Sequence, residues 1–248
     1  MFARDGDAVA FEELRPHIQQ APREILWDIR REDVQEVLGH PKNSAPGPDG
    51  LKYKAWAALG EEAIDIFFEV AQSLLGGAEP PAWFNDSFMV FLAKGKESSD
   101  SCFTARTPSC TRPLTLADSA QKVIAKLLNR SLAKVAAATV SPLQCGFVRG
   151  RRIQDAILMT EAHGIAARID SPEQGGMIFL DQKAAFPSVA RNYLFEVLRA
   201  MGVPALFPQA ILYLYSNSNA FVRFGGSDKL VVELRQGIKQ GCPMSGNL

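Results

Sequence analysis

The chain has 248 residues, 47% of them hydrophobic and 22% charged, and its 27 basic and 27 acidic side chains cancel to a net charge of zero. That length can bury a sizeable core, as one large domain or two smaller ones, and the composition excludes fibrous and wholly disordered classes. Met1–Ala10 carries early charges and no apolar run, so no signal peptide is expected, and no stretch of about 20 apolar residues predicts a membrane span.

Four cysteines stand at Cys102, Cys110, Cys145 and Cys242, none in a CxxC pair, and His17, His40 and His163 lie far from them. Neither a zinc site nor a disulfide framework is expected. A reducing intracellular location, nuclear or cytoplasmic, fits best. The zero net charge hides an asymmetry. Residues 1–40 hold nine acids against five bases, whereas residues 94–152 hold eleven bases against three acids. A basic middle in a neutral chain predicts either a local surface for a polyanion or an ordinary solvated face.

In chain order, residues 1–40 read as a helical segment, with Val34, Val37 and Leu38 at helical spacing and Gly39 as a stop. Asn43–Gly50 holds two prolines and two glycines and reads as a fixed loop. Glu61–Leu75 reads as an amphipathic helix ended by Gly76-Gly77. Ser87–Ala93, rich in aromatic and aliphatic residues, reads as a buried strand. Lys94–Thr111 is a polar excursion, and Arg112–Leu116 reads as the returning strand. Asp118 or Ser119 is placed to cap the next helix.

That helix has the clearest periodicity in the chain. Val123, Ile124, Leu127, Leu128, Leu132 and Val135 form an apolar stripe, and Lys122, Lys126, Arg130 and Lys134 recur every fourth residue as a basic one. Like charges at this spacing repel by a few tenths of a kcal/mol per pair, which a polyanion would relieve. Beyond it come a loop containing Gly and Arg (Ser141–Arg152) and a helix, Ile153–Ile169. Gly175-Gly176 then leads to a strand, Met177–Leu180, ending in Asp181. Two helices follow, Val189–Met201 and Pro204–Tyr215, then a hairpin turning at Gly225-Gly226.

A lone aspartate at a strand end has several readings: a helix cap, a lysine partner or a metal ligand. Haloacid-type phosphatases also place an aspartate there, but they need a second acid two residues on, where this chain has Lys183. The order of the blocks decides between these readings. Ser44–Gly50, the strand ending in Lys94, Arg112–Leu116 with the Lys122–Leu132 helix, Gln144–Arg152, Phe179–Phe186 and Gly237–Ser245 follow one another. In that order they resemble the reverse transcriptases of non-LTR, LINE-type retrotransposons.

The resemblance implies an α+β fold: a right-hand polymerase's fingers with part of its palm, the palm sheet incomplete and the thumb absent. It divides the chain into an N-terminal helical segment (1–40), fingers (41–176) and partial palm (177–248). It implies RNA-directed DNA polymerase chemistry, with an RNA template, a DNA primer, deoxynucleoside triphosphates and two Mg2+ ions. Asp181 then matches the first metal ligand, helped by the backbone carbonyl of Gln182. Phe186 matches the aromatic that excludes a 2′-hydroxyl. Lys94 and Arg112 match residues that hold the triphosphate, and Gln240-Gly241 the pair lining the nascent base pair. Lys122, Lys126, Arg130, Lys134, Arg149, Arg151 and Arg152 are the expected nucleic-acid contacts.

The pattern departs from the family at Lys183-Ala184, at Pro187, which stands where a second aspartate is frequent, and at Thr111, where an aromatic is frequent. The family's aromatic-x-Asp-Asp pair does not occur in the 248 residues. A fragment inactive by itself is therefore expected. The alternatives are a non-catalytic nucleic-acid-binding remnant and another template-directed polymerase such as an intron maturase.

Overall fold

A computed structural model describes residues 11–41, 43–95, 107–170, 176–182 and 184–248. Strand β1 (Ser87–Ala93) is the pivot of the sheet. It pairs antiparallel with β2 (Thr111–Ala117) in the register Ser87↔Ala117 to Ala93↔Thr111. On its other side it pairs parallel with β3 (Asn219–Phe224) through Ser87↔Ala220 and Phe88↔Phe221. β3 turns back antiparallel into β4 (Ser227–Glu233), giving the order β2-β1-β3-β4. The expected hairpin is present, and its turn glycines Gly225 and Gly226 take φ of 59° and 78°, a conformation that side chains strain. The sheet thus crosses residue 177, where the resemblance draws a fingers–palm boundary.

From Arg31 onward the helices build the core chiefly with one another. In chain order they are α1 (Arg31–Gly39), α2 (Tyr53–Leu59), α3 (Glu61–Leu75), α4 (Ser119–Thr139), α5 (Ile153–Asp170), α6 (Ala185–Ser188), α7 (Arg191–Ala200) and α8 (Leu206–Tyr215). The mixed α and β architecture agrees with the expected class. The core gathers Val34 and Leu38 from α1, Phe67 and Leu74 from α3, Phe195 from α7 and Phe207 and Ile211 from α8 around the apolar stripe of α4. All six expected stripe residues of α4 are buried. No described helix is long and apolar enough to cross a membrane.

Several expectations change. Residues 11–17 of the expected helical segment are helical, ending in a 3-10 turn at Arg15–His17, but residues 18–30 are irregular, and helix resumes only at Arg31, past Pro22. Asp118 occupies the N-cap position of α4 without capping it. Its carboxylate instead accepts the backbone N–H of Asp49 at 3.1 Å. Around it the 44–51 loop is laced to the start of α4. Lys122 Nζ donates to the Ala45 carbonyl at 3.0 Å, and Trp56 Nε1 donates to Ser119 Oγ, which donates onward to the Leu51 carbonyl. Gly47 lies so close to Asp118 and to the Ala117 backbone that a side chain there would collide with both.

The largest correction concerns Met177–Leu180. It belongs to no strand, and Ile178 and Leu180 are 87% and 91% exposed rather than buried. No described strand lies beside it to pair its backbone, and an apolar run becomes a buried strand only when a neighbour supplies the ladder. The helix before it, α5, forms as expected but buries none of its residues. Ile153, Ile157, Leu158, Ile165 and Ile169 are all exposed, spread over more than one face.

Candidate functional site

Residues 235–248 form no regular element, yet they are tightly fixed. The Gly237 and Ile238 N–H groups donate to the carbonyls of Val189 and Phe186 at 3.0 and 2.9 Å. On the other side Thr115 N–H of β2 donates to the Gln240 carbonyl at 2.9 Å. The segment therefore bridges the α6 turn and the sheet. Two glycines allow this contact: a Cβ on Gly237 would stand 2.7 Å from Pro187 Cα, and one on Gly241 would stand 2.7 Å from the Thr115 carbonyl oxygen. Both also have positive φ, 73° and 107°.

Two cations, Lys239 buried and Arg191 partly buried, anchor the segment. Arg191, the first residue of α7, donates from Nε to Gly237 O, from Nη1 to Tyr215 O and from Nη2 to Leu234 O and Gln236 O. Lys239 Nζ donates to Asn85 O and Leu214 O at 3.3 and 3.2 Å, and Ser245 Oγ donates to the Lys239 carbonyl at 2.6 Å. Burial pushes the Lys239 ammonium down to about 8 and lowers Arg191 as well. Neither cation was evident in the sequence, where each reads as an ordinary charged residue near a helix or turn.

Above this foundation lies a cavity of about 420 Å³. Its lining includes Phe186, Gln240 and Gly241, three of the five residues expected to hold a nucleotide. The rest of the lining is Phe147, Cys242, Pro243, Ser245, Gly246 and Asn247, none of which was singled out. Phe147 lies within the Gln144–Arg152 block, but nothing in its local sequence predicts its conformation or its contact with Phe186. The other two expected nucleotide residues lie elsewhere. Lys94 and Arg112 sit at the far end of the β1–β2 hairpin, where Arg112 pairs with Leu92 and Lys94 Nζ donates to Ser109 O at 3.1 Å. The ladder puts their side chains on the same face of the sheet.

Asp181 and Gln182 are exposed on the 176–182 segment and do not line this cavity. Among the described residues no three Asp, Glu, His or Cys side chains gather as a metal site. One carboxylate and one carbonyl fall well short of magnesium's octahedral oxygen shell. The described residues therefore do not complete a magnesium site. Lys183 lies outside the described residues.

The basic stripe of α4 does not stand as a solvated face. Lys122 is buried against the 44–51 loop, and burial lowers its ammonium's affinity for protons. Arg130 pairs with Asp33 and Glu36 of α1, each at 2.8 Å. Lys126 lies 4.1 Å over the Tyr53 ring. Lys134 is exposed. Of the later bases, Arg151 donates to the carbonyls of Ala137, Val140, Ser141 and Gln144, satisfying the end of α4. Arg152 pairs with Asp155, and Arg149 is exposed. The expected surface of seven cations is largely internal wiring, and part of the acidic amino-terminal segment is its counter-charge.

Comparison with known proteins settles the family. Residues 96–248, more than half the chain, match the family model for reverse transcriptase (RNA-dependent DNA polymerase). The chain belongs to the reverse transcriptase family. It is also 28% identical over 220 residues to a retrovirus-related Pol polyprotein from the type-1 retrotransposable element R2 of Popillia japonica, covering 88% of this chain and 29% of that protein. It is 26% identical over 216 residues to the transposon TX1 uncharacterized 149 kDa protein of Xenopus laevis, covering 84% and 15%. A second R2 Pol polyprotein, from Nasonia vitripennis, is 24% identical over 233 residues, covering 94% and 21%. The chain thus spans less than a third of the length of these relatives. In this reverse transcriptase segment the cavity lies along the 240–247 loop, and Asp181 does not line it.

Proposed function

We propose that this chain acts as a retrotransposon reverse transcriptase domain, extending a DNA primer on an RNA template from deoxynucleoside triphosphates. The observation that carries the reading is the meeting of Phe186, Gln240 and Gly241 around one cavity, brought from two separate motifs by the 237–241 contacts. In this reading residues 41–176 are the fingers and 177–248 belong to the palm. Lys94 and Arg112 approach the triphosphate from the sheet, where positive charge at a leaving pyrophosphate is worth most. Asp181, with the Gln182 carbonyl, contributes to a magnesium site that needs further oxygen ligands. A purely nucleic-acid-binding role draws less support, because most of the expected basic contacts are satisfied within the chain.

The test is templated nucleotide binding. With an RNA template, a DNA primer and Mg2+, the deoxynucleotide complementary to the next template base should bind better than the three mismatched ones. Gly241→Val should abolish that preference by driving a side chain into the Thr115 carbonyl and so displacing the 240–241 segment that lines the cavity. Primer extension on the same substrate, lost in Asp181→Ala, would add the catalytic step. Nucleic-acid binding with no preference for the complementary nucleotide would overturn the reading.

A further inference from the structure

The rim of the cavity holds an aromatic pair in which one member is strained. Phe147 has φ of +63°, a left-handed conformation that a bulky side chain rarely adopts. Its neighbours Cys145 and Val148 are buried and hold the loop in place, while the Phe147 ring itself is 69% exposed. A ring held out of the core at a conformational cost calls for a reason. Its contacts provide one. Phe147 and Phe186 meet edge to face, with centroids 5.9 Å apart and planes at 89°. Opposite them Gly246 makes room, since a Cβ there would stand 2.6 Å from the Phe147 ring.

Phe186 depends on this support. It sits on α6, a helix of four residues entered through Ala184 at φ +55° and without a side-chain cap. Its backbone carbonyl is tied to Ile238, and its ring, only partly buried, packs against the main core on one side and meets Phe147 on the other. The Phe147 edge therefore sets the side-to-side position of that ring over the cavity.

We propose that Phe147 is a specificity-determining positioning residue: by fixing the Phe186 ring it sets how strongly the cavity rejects a ribose 2′-hydroxyl. This rests on the nucleotide reading of the cavity given above. Phe147→Gly is the informative variant, because glycine accepts the left-handed backbone and only the ring is lost. Binding of dTTP and of its ribose counterpart, 5-methyl-UTP, is measured on the full chain with Mg2+ and a primer–template presenting adenine. Wild type should prefer dTTP. Phe147→Gly should reduce that preference by about tenfold, mainly by admitting 5-methyl-UTP, as expected for the loss of one aromatic pair. Phe147→Tyr, which keeps the ring, should retain the preference, and Gly246→Ala should weaken it by displacing the ring.

A fluorine label on the Phe186 ring reads the positioning directly, and its resonance should shift in Phe147→Gly but not in Phe147→Tyr. Wild-type selectivity in a correctly folded Phe147→Gly protein overturns the role of Phe147 alone. If the wild-type chain does not bind dTTP, the cavity assignment fails, and the selectivity role with it.

Discussion

Arg130 Nη2 lies 2.8 Å from Asp33 Oδ1, joining α4 to α1 across 97 residues of sequence. Asp33 is nearly buried, and burial alone would raise its carboxyl. The Arg30 backbone N–H, the Arg30 side chain and the Arg130 charge outweigh that and hold it below the usual carboxylate range. A depressed carboxyl adds stability above its ordinary value and loses it as pH falls through its folded value. Arg130→Gln should therefore cost about 1–3 kcal/mol at pH 7, with the loss shrinking below pH ~4. Urea unfolding at the two pH values checks both parts. Affinity for nucleic acid should be unchanged, whereas Lys134→Gln with Arg149→Gln should lower both the affinity and its salt dependence.

Asp118 behaves in the opposite sense. Burial raises its carboxyl to about 6, while the Asp49 N–H and Lys122 pull it down and the Asp49 carboxylate pushes it further up. A carboxyl raised on folding binds its proton more tightly in the folded state. It stabilises at low pH, and that contribution is lost as pH rises through about 6. Asp118→Asn keeps an acceptor for the Asp49 N–H and removes the titration. Between pH 4 and 6 the wild type should lose about 1 kcal/mol relative to this variant, a figure reduced by solvent screening at the loop edge. Unfolding midpoints across that range measure it.

What the sequence discloses here is what is local. The apolar stripe of α4 and the Gly225-Gly226 hairpin depend on residues a few positions apart, and both stand where the pattern puts them. The basic stripe misleads because periodicity says where Arg130 points on its own helix and nothing about Asp33 opposite. Met177–Leu180 misleads for a related reason: an apolar run marks a strand only if a distant partner pairs with it. Tyr53–Leu59 was missed because it is one short helix following a Pro- and Gly-rich loop. In the cavity and the contacts that support it, Phe186 and Gln240-Gly241 were legible through their motifs. Phe147, Arg191 and Lys239 were not, since a left-handed aromatic and carbonyl-bound cations carry no sequence signature.

Gly47 tests whether the 44–51 loop is a structural clamp. Any side chain there meets the Asp118 carboxylate and also the backbone of Ala117 and Asp118, which cannot swing aside. Gly47→Ala should destabilise by about 1–3 kcal/mol, the range for overpacking a closed contact. It should also free the Lys122 ammonium from the Ala45 carbonyl, so that Lys122 becomes reactive toward an amine-directed label while remaining protected in the wild type. Gly50→Ala is the control, because nothing lies within 4 Å of a Cβ there. Its left-handed φ of +71° predicts a smaller loss, of about 1 kcal/mol, and no change in labelling.

Lys239 offers the sharpest pH test. Its ammonium is buried under the 240–245 turn and held by two carbonyls, and burial lowers it to about 8. Cys242 and Asp86 act against that lowering, and Arg191 adds to it. For a base depressed on folding, the unfolded chain binds more protons above the folded value, so stability rises with pH from about 8 toward the ordinary lysine range near 10.5. The full rise is at most about 3 kcal/mol. Lys239→Met removes the titrating group, so the wild-type stability should climb relative to this variant between pH 8 and 10. Parallel curves would mean that the ammonium is solvated in the folded protein. The same variant leaves the Asn85 carbonyl without its donor, so the 240–245 turn should loosen. Hydrogen exchange at the Thr115 amide, whose acceptor is the Gln240 carbonyl, should then accelerate while amides in the middle of α4 stay protected.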